Sequence, residues 1–160
     1  MHSRNINAKE IHNKIMKNIK HELKNGLIIF ILIGAYFLLA EFFGFSDNTY
    51  LRSLNIIIVF FGVNLSIKQN IAIDKLNYFS NFFSGILTSF IGVILSIIGL
   101  SFYIEFYKGV EYIAMLSNPF IETAKIEHYF LALFLEGIAS SVIVSFILMQ
   151  YWKNFKHSKS

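Results

Sequence analysis

The chain has 160 residues, of which 55% are hydrophobic and 18 are Phe, with a mean hydropathy of +0.56 and a formal net charge of +4. This composition excludes an ordinary soluble domain of the same size and indicates a membrane protein. The absence of cysteine also excludes a disulfide framework, a thiolate metal site and a lipoprotein anchor.

Residues 1–25 form a polar, basic arm before the first apolar run. The arm lacks the small-residue cleavage site of a secretory signal, so we expect the first span to be kept as an anchor. Apolar residues recur every four positions and predict an amphipathic helix on the inner leaflet: Ile11, Ile15, Ile19 and Leu23. The arm either fixes the topology through its charge or docks a cytoplasmic partner. Nucleic-acid binding is not expected, because no matching fold motif accompanies the charge.

Four apolar runs are long enough to cross about 30 Å of hydrocarbon as helices. They cover residues 26–44, 51–67, 82–104 and 129–152, and the second run is the shortest. We therefore predict an all-α membrane protein, with a four-transmembrane-helix bundle over residues 26–152 and a basic tail at 153–160. Its immediate surroundings would be the lipid bilayer.

The distribution of basic residues predicts the orientation. All but three of the 14 Lys and Arg residues lie in the arm, in the loop between spans two and three, or in the tail; the exceptions are Arg52, Lys108 and Lys125. Basic residues favour the cytoplasmic side. Both termini are therefore predicted to be cytoplasmic, in a multi-pass protein of the inner membrane.

The segment between spans three and four, residues 105–128, is then a periplasmic loop. Asn118 followed by Pro119 predicts the N-cap and first position of a short helix. The loop is either an amphipathic connector or a lid over a ligand site. Only its aromatic residues favour a lid: Phe106, Tyr107, Tyr112 and Phe120.

Span three contains small residues at alternating steps of four and three, which we name the small-residue seam: Gly85, Ser89, Gly92, Ser96 and Gly99. At about 100° per residue these positions form one stripe along the helix. Small residues allow helices in a bilayer to approach closely. The seam therefore predicts helix association, within the chain or between copies, or else the wall of a pore or cavity.

Span four contains one carboxylate, Glu136, within an apolar run. A charge that faces lipid costs about 2–3 kcal/mol on insertion scales, so we expect this side chain to face the bundle. We group it with four other intramembrane or interfacial polar residues as a candidate site: Glu41, Arg52, Asn55 and Ser140. Glu41 and Arg52 are the more plausible pair. Glu136 is then either a structural hydrogen-bonding carboxyl or a functional proton or cation site.

The runs RSLNIIIVFFGVNLSIKQN and LNYFSNFFSGILTSFIGVILSIIGLSFYI, followed by NPF, resemble a family of small four-span bacterial membrane proteins catalogued as a domain of unknown function. The similarity covers most of residues 26–152. It includes the basic end of span two, the aromatic entry to span three and the Asn-Pro in the outer loop. The resemblance implies a fold and no activity.

The sequence contains no recognisable catalytic motif. The histidines lie outside the spans or at an edge, and none has metal-ligand spacing. No nucleophile elbow, phosphate-binding loop or dinucleotide fingerprint is present, so we expect neither enzymatic activity nor a cofactor. Two hypotheses remain: a subunit or assembly partner of other membrane proteins, including a homo-oligomer, and a small transporter or channel that uses Glu136.

Overall fold

The computed structural model describes residues 8–45, 48–72, 77–109, 111–116 and 126–157. These residues are almost entirely helical. The helices are α1 (Ala8–Phe42), α2 (Thr49–Ser53), α3 (Asn55–Ala72), α4 (Tyr78–Tyr103), α5 (Tyr112–Leu116) and α6 (Ile126–His157), and α4 continues into a π-helical turn at Ile104–Lys108.

Four segments are long and apolar enough to cross a membrane: Ile19–Phe42, Asn55–Ala72, Tyr78–Lys108 and Glu127–Lys153. This confirms the prediction of an all-helical protein with four candidate spans. Large apolar side chains cover the outside of these helices, among them Leu27, Ile57, Phe83, Leu131 and Ile143. An apolar surface of this extent is normally covered by lipid or protein. The chain is therefore a multi-pass membrane protein.

The helix bounds differ from the predicted spans. Helix α1 is continuous from Ala8 to Phe42, so the predicted boundary between arm and first span at residue 25 is not a helix end. The second span begins at Asn55, after the separate helix α2, and continues to Ala72. Hydropathy marks only the apolar part of each run, whereas polar residues stay helical where neighbouring helices supply hydrogen bonds.

The long helices alternate in direction. Asn25 of α1 contacts Gln69 of α3, and Tyr78 of α4 contacts Gln150 of α6, so early residues of one helix meet late residues of another. We name the end with residues 19, 72, 78 and 153 the proximal end. The end with residues 42, 55, 108 and 127 is the distal end. Helices α3 and α4 each contact the other three long helices.

The centre of the core is Ile29 of α1, which is fully buried. It lies between two glycines, Gly62 of α3 and Gly92 of α4. A Cβ atom on Gly62 would overlap Ile29, and one on Gly92 would lie 2.6 Å from its Cγ2 atom. Apolar residues of α3 and α6 complete this core: Val59, Val63, Ile67, Val144, Leu148 and Met149.

A second apolar cluster lies at the distal end and contains Ile104, Tyr112, Ile113, Leu116 and Tyr129. The π-helical turn ends at Lys108 and is capped by Gly109, whose φ of 78° lies in the left-handed region that favours glycine. The chain then enters α5. The predicted helix start at Asn118 and Pro119 lies outside the described residues, as does Phe120.

Candidate functional site

A cavity of about 320 Å³ lies in the distal half of the bundle, and all four long helices contribute to its wall. Small residues in the cavity wall leave this space unfilled, including Gly34 of α1, Ser96 of α4 and Ser140 of α6. The wall is mainly apolar and contains six aromatic side chains: Phe30, Tyr36, Phe37, Phe45, Tyr103 and Tyr129. Its size and composition are typical of small-molecule pockets.

Glu136 is the only charged residue among the described residues that line this cavity. Its side chain is exposed at the cavity wall. Asn55 and Ser140 line the same cavity, so the structure brings together three of the five predicted polar-site residues. The Oδ1 atom of Asn55 is buried and has no hydrogen-bond partner among the described residues.

Glu41 lies outside the cavity, in a polar contact at the distal end. Its Oε1 atom is 2.5 Å from Lys108 Nζ, and its Oε2 atom accepts a hydrogen bond from the Tyr112 hydroxyl. Lys108 Nζ also lies 5.2 Å from the centroid of the Tyr112 ring. These contacts join the end of α1 to the turn after α4. Arg52 was the predicted partner of Glu41, and its side chain is not among those that the structure describes.

The small-residue seam has two environments along α4. In its proximal part it packs against other helices of the same chain: a Cβ atom on Gly85 would lie 2.8 Å from Ser145 Oγ, and Ser89 is fully buried. In its distal part, Ser96 and Gly99 line the cavity. One stripe of small residues therefore supports close packing in one half of the bundle and open volume in the other.

A second polar site lies at the proximal end, within the segment that the sequence analysis assigned to the arm. Glu22 is 3% exposed and Asn25 is fully buried. Ser84 Oγ donates a hydrogen bond to Glu22 Oε1 at 2.6 Å, and Asn70 Nδ2 donates to Ser84 Oγ at 2.8 Å. These bonds connect helices α1, α3 and α4 around a buried carboxyl group.

Asn25 connects the same three helices. Its Nδ2 atom donates to Ser66 Oγ at 2.8 Å and to Gln69 Oε1 at 2.9 Å. Ser66 Oγ lies 2.8 Å from Thr88 Oγ1. We name the whole set the proximal polar cluster: Glu22, Asn25, Ser66, Gln69, Asn70, Ser84 and Thr88.

Sequence reasoning missed the proximal polar cluster because Glu22 and Asn25 precede the apolar run of span one. A usable signal was nevertheless present. Polar residues three or four positions apart occur in three successive helices, and such residues share one helix face. The pairs are Glu22 and Asn25, Ser66 and Asn70, and Ser84 and Thr88.

No family model, curated protein or solved structure matches the chain. The resemblance of residues 26–152 to a family of four-span bacterial membrane proteins therefore stays a prediction.

Proposed function

We propose that the protein is a small membrane transporter that binds an organic cation in the distal cavity, with Glu136 as the negative charge that attracts it. One observation carries this proposal. A single carboxylate lines a cavity that is otherwise apolar and aromatic and is surrounded by four candidate membrane spans. Ionisable groups at membrane depth are costly, and they commonly mark the path of a substrate or ion.

The chemistry of the wall favours an organic cation over an inorganic one. Carboxylates attract positive charge more strongly in a low-dielectric environment than in water. Aromatic faces such as those of Tyr36, Tyr103 and Tyr129 attract quaternary ammonium groups. An inorganic ion would need several oxygen ligands to replace its water, and this wall is mainly hydrocarbon.

The other hypothesis from the sequence, a subunit or assembly partner, is supported by the small-residue seam and by the lack of a catalytic motif. Gly85 and Gly92 are covered by Ser145 and Ile29 of the same chain, so their close contacts are already made. They offer no surface to a second copy or another subunit. A transporter requires a cavity for its substrate, so the presence of this cavity favours the transporter.

Replacement of Glu136 by glutamine tests whether cation uptake requires the negative charge. The amide retains the shape of the side chain but removes the negative charge. Proteoliposomes with the parent protein should take up labelled benzyltrimethylammonium when the membrane potential is negative inside. The Glu136→Gln variant should reduce this uptake about tenfold or more, a factor that corresponds to ~1.4 kcal/mol.

The matched control is Glu127→Gln, which makes the same chemical change at an exposed residue of α6 outside the cavity wall. Uptake by this variant should equal that of the parent. If the parent takes up no more than protein-free vesicles, or if Glu136→Gln retains full uptake, the proposed function is wrong.

We also infer that the protein lies in the inner membrane with both termini in the cytoplasm. The excess of Lys and Arg in the arm, second loop and tail supports this orientation. The loop at residues 105–128 is then periplasmic. In intact cells, an impermeant thiol reagent should label a cysteine at Ser117 but not one at Ser3 or Ser158. The reverse labelling pattern would overturn the orientation.

A further inference from the structure

The hydroxyl groups of the proximal polar cluster have no hydrogen left to donate. Thr88 Oγ1 donates to the backbone oxygen of Ser84 at 2.8 Å, so Ser66 must supply the hydrogen between Ser66 and Thr88. Ser84 donates to Glu22. The hydroxyl hydrogens of these three residues are therefore all in use.

The side-chain amide of Asn25 also has no hydrogen left to donate. Its two hydrogens are donated to Ser66 and Gln69. Two oxygen atoms remain buried without a partner among the described residues, Glu22 Oε2 and Asn25 Oδ1. They belong to residues three positions apart on one face of α1, so both extend from the same side of the helix. Each of these two acceptors could bind a hydrogen-bond donor or a cation.

The charge of Glu22 leads to the same conclusion. Among the described residues, none forms an ion pair with it, and the neighbouring Lys20 and Lys24 are exposed. A buried carboxylate without a compensating charge costs several kcal/mol. Since Glu22 lies within the first candidate span, water is not a ready substitute.

We infer that the proximal polar cluster binds one small monovalent cation, and that Na⁺ fits it best. Hard cations prefer oxygen ligands, which this cluster supplies from a carboxyl, an amide and hydroxyl groups. One carboxylate neutralises one positive charge, whereas a divalent ion would leave an excess charge in the membrane. A carboxylate carries concentrated negative charge, which attracts the small Na⁺ ion more strongly than the larger K⁺ ion because the smaller ion approaches more closely.

This site is separate from the distal cavity, and the inference does not depend on the proposed transport function. Glu22 and Asn25 lie at the proximal end, and neither lines the cavity. Bound Na⁺ would join α1 to α3 and α4 at that end. We therefore expect Na⁺ to stabilise the folded protein.

Thermal unfolding of the purified full chain in detergent tests this inference, with NaCl, KCl or CsCl at constant ionic strength and pH. The large inorganic Cs⁺ ion is the reference, because an organic cation could bind in the distal cavity. The unfolding midpoint of the parent should rise saturably with Na⁺, by about 5–10 °C at a concentration ~100 times Kd. The rise should be smaller with K⁺ and absent with Cs⁺. Identical midpoints in NaCl and CsCl would overturn the inference.

The Glu22→Gln variant sharpens the test. Its amide can still accept the hydrogen bond from Ser84 and also supplies an N–H donor, so the variant should fold without the cation. Its midpoint in CsCl should resemble that of the parent in NaCl and should not respond to Na⁺. The Glu136→Gln variant, altered only in the cavity, should keep the full Na⁺ response. A Glu22→Gln variant that keeps this response would contradict the assignment.

Direct binding gives a readout that does not depend on how the variant folds. Equilibrium dialysis of the parent with ²²Na⁺ should show one ion per chain, displaced by unlabelled NaCl and not by choline chloride. The absence of saturable binding would overturn the inference.

Discussion

The Gly92→Leu variant should fail to form the native helix packing. A Cβ atom at this position would lie 2.6 Å from Ile29 Cγ2 and 3.2 Å from the backbone oxygen of Gly26. Ile29 cannot move away, because Gly62 of α3 holds its other side. Overpacking typically costs about 1–3 kcal/mol, and more when two backbones must separate. Size-exclusion chromatography and thermal unfolding in detergent should show aggregation or a strongly lowered midpoint.

The Gly34→Leu variant is the matched control. Gly34 is also a glycine within a long helix, but a Cβ atom there would meet no heavy atom within 4 Å. The leucine would enter the open cavity, and loss of a helical glycine adds a small stabilisation of about 0.5–1 kcal/mol. This variant should fold like the parent or slightly better. Equal unfolding midpoints for Gly92→Leu and Gly34→Leu would contradict the close packing of α1 against α4.

The candidate spans could be predicted from the sequence because the thickness of the hydrocarbon sets their length and its polarity sets their composition. Both properties are local and need no knowledge of tertiary contacts. The ends of the helices could not be predicted in the same way. Ser66 to Ala72 and Glu22 to Asn25 continue their helices because neighbouring helices bond to the polar side chains.

The residues of the candidate polar site could be selected from the sequence, but their partners could not. Glu136, Asn55 and Ser140 could be selected because each is polar within an apolar run. The partners of Glu41 could not, since Lys108 and Tyr112 are distant in sequence and reach it only through the turn at the distal end.

The sequence predicts that the small-residue seam forms one stripe along α4, but it does not predict which side chains pack against that stripe. Helical periodicity places Gly92 and Gly99 on one side of α4, but it does not reveal which side chain meets each glycine. Ile29 packs onto Gly92, whereas Gly99 meets Phe30 and also borders the cavity. Close packing and cavity formation were alternatives in the sequence, and the structure contains both.

The Gly34→Leu variant should also abolish ligand binding, which is the second large effect that we expect. Its side chain would occupy the distal cavity without disturbing the helix packing, because the space beside Gly34 is open. A pocket of about 320 Å³ loses much of its usable volume when a leucine enters it. The variant therefore separates binding from folding, which a substitution at a tightly packed position cannot do.

Calorimetric titration of the purified parent with benzyltrimethylammonium is the most direct test of the proposed cavity site. We expect saturable binding of one cation per chain, at least tenfold tighter than that of neopentylbenzene, its neutral isostere, because Glu136 and the aromatic wall favour the positive charge. The Gly34→Leu variant should show the same unfolding midpoint as the parent, or a slightly higher one, and no saturable binding. Equal affinity for the charged and neutral compounds, or unchanged binding by Gly34→Leu, would contradict the assignment of the cavity as an organic-cation site.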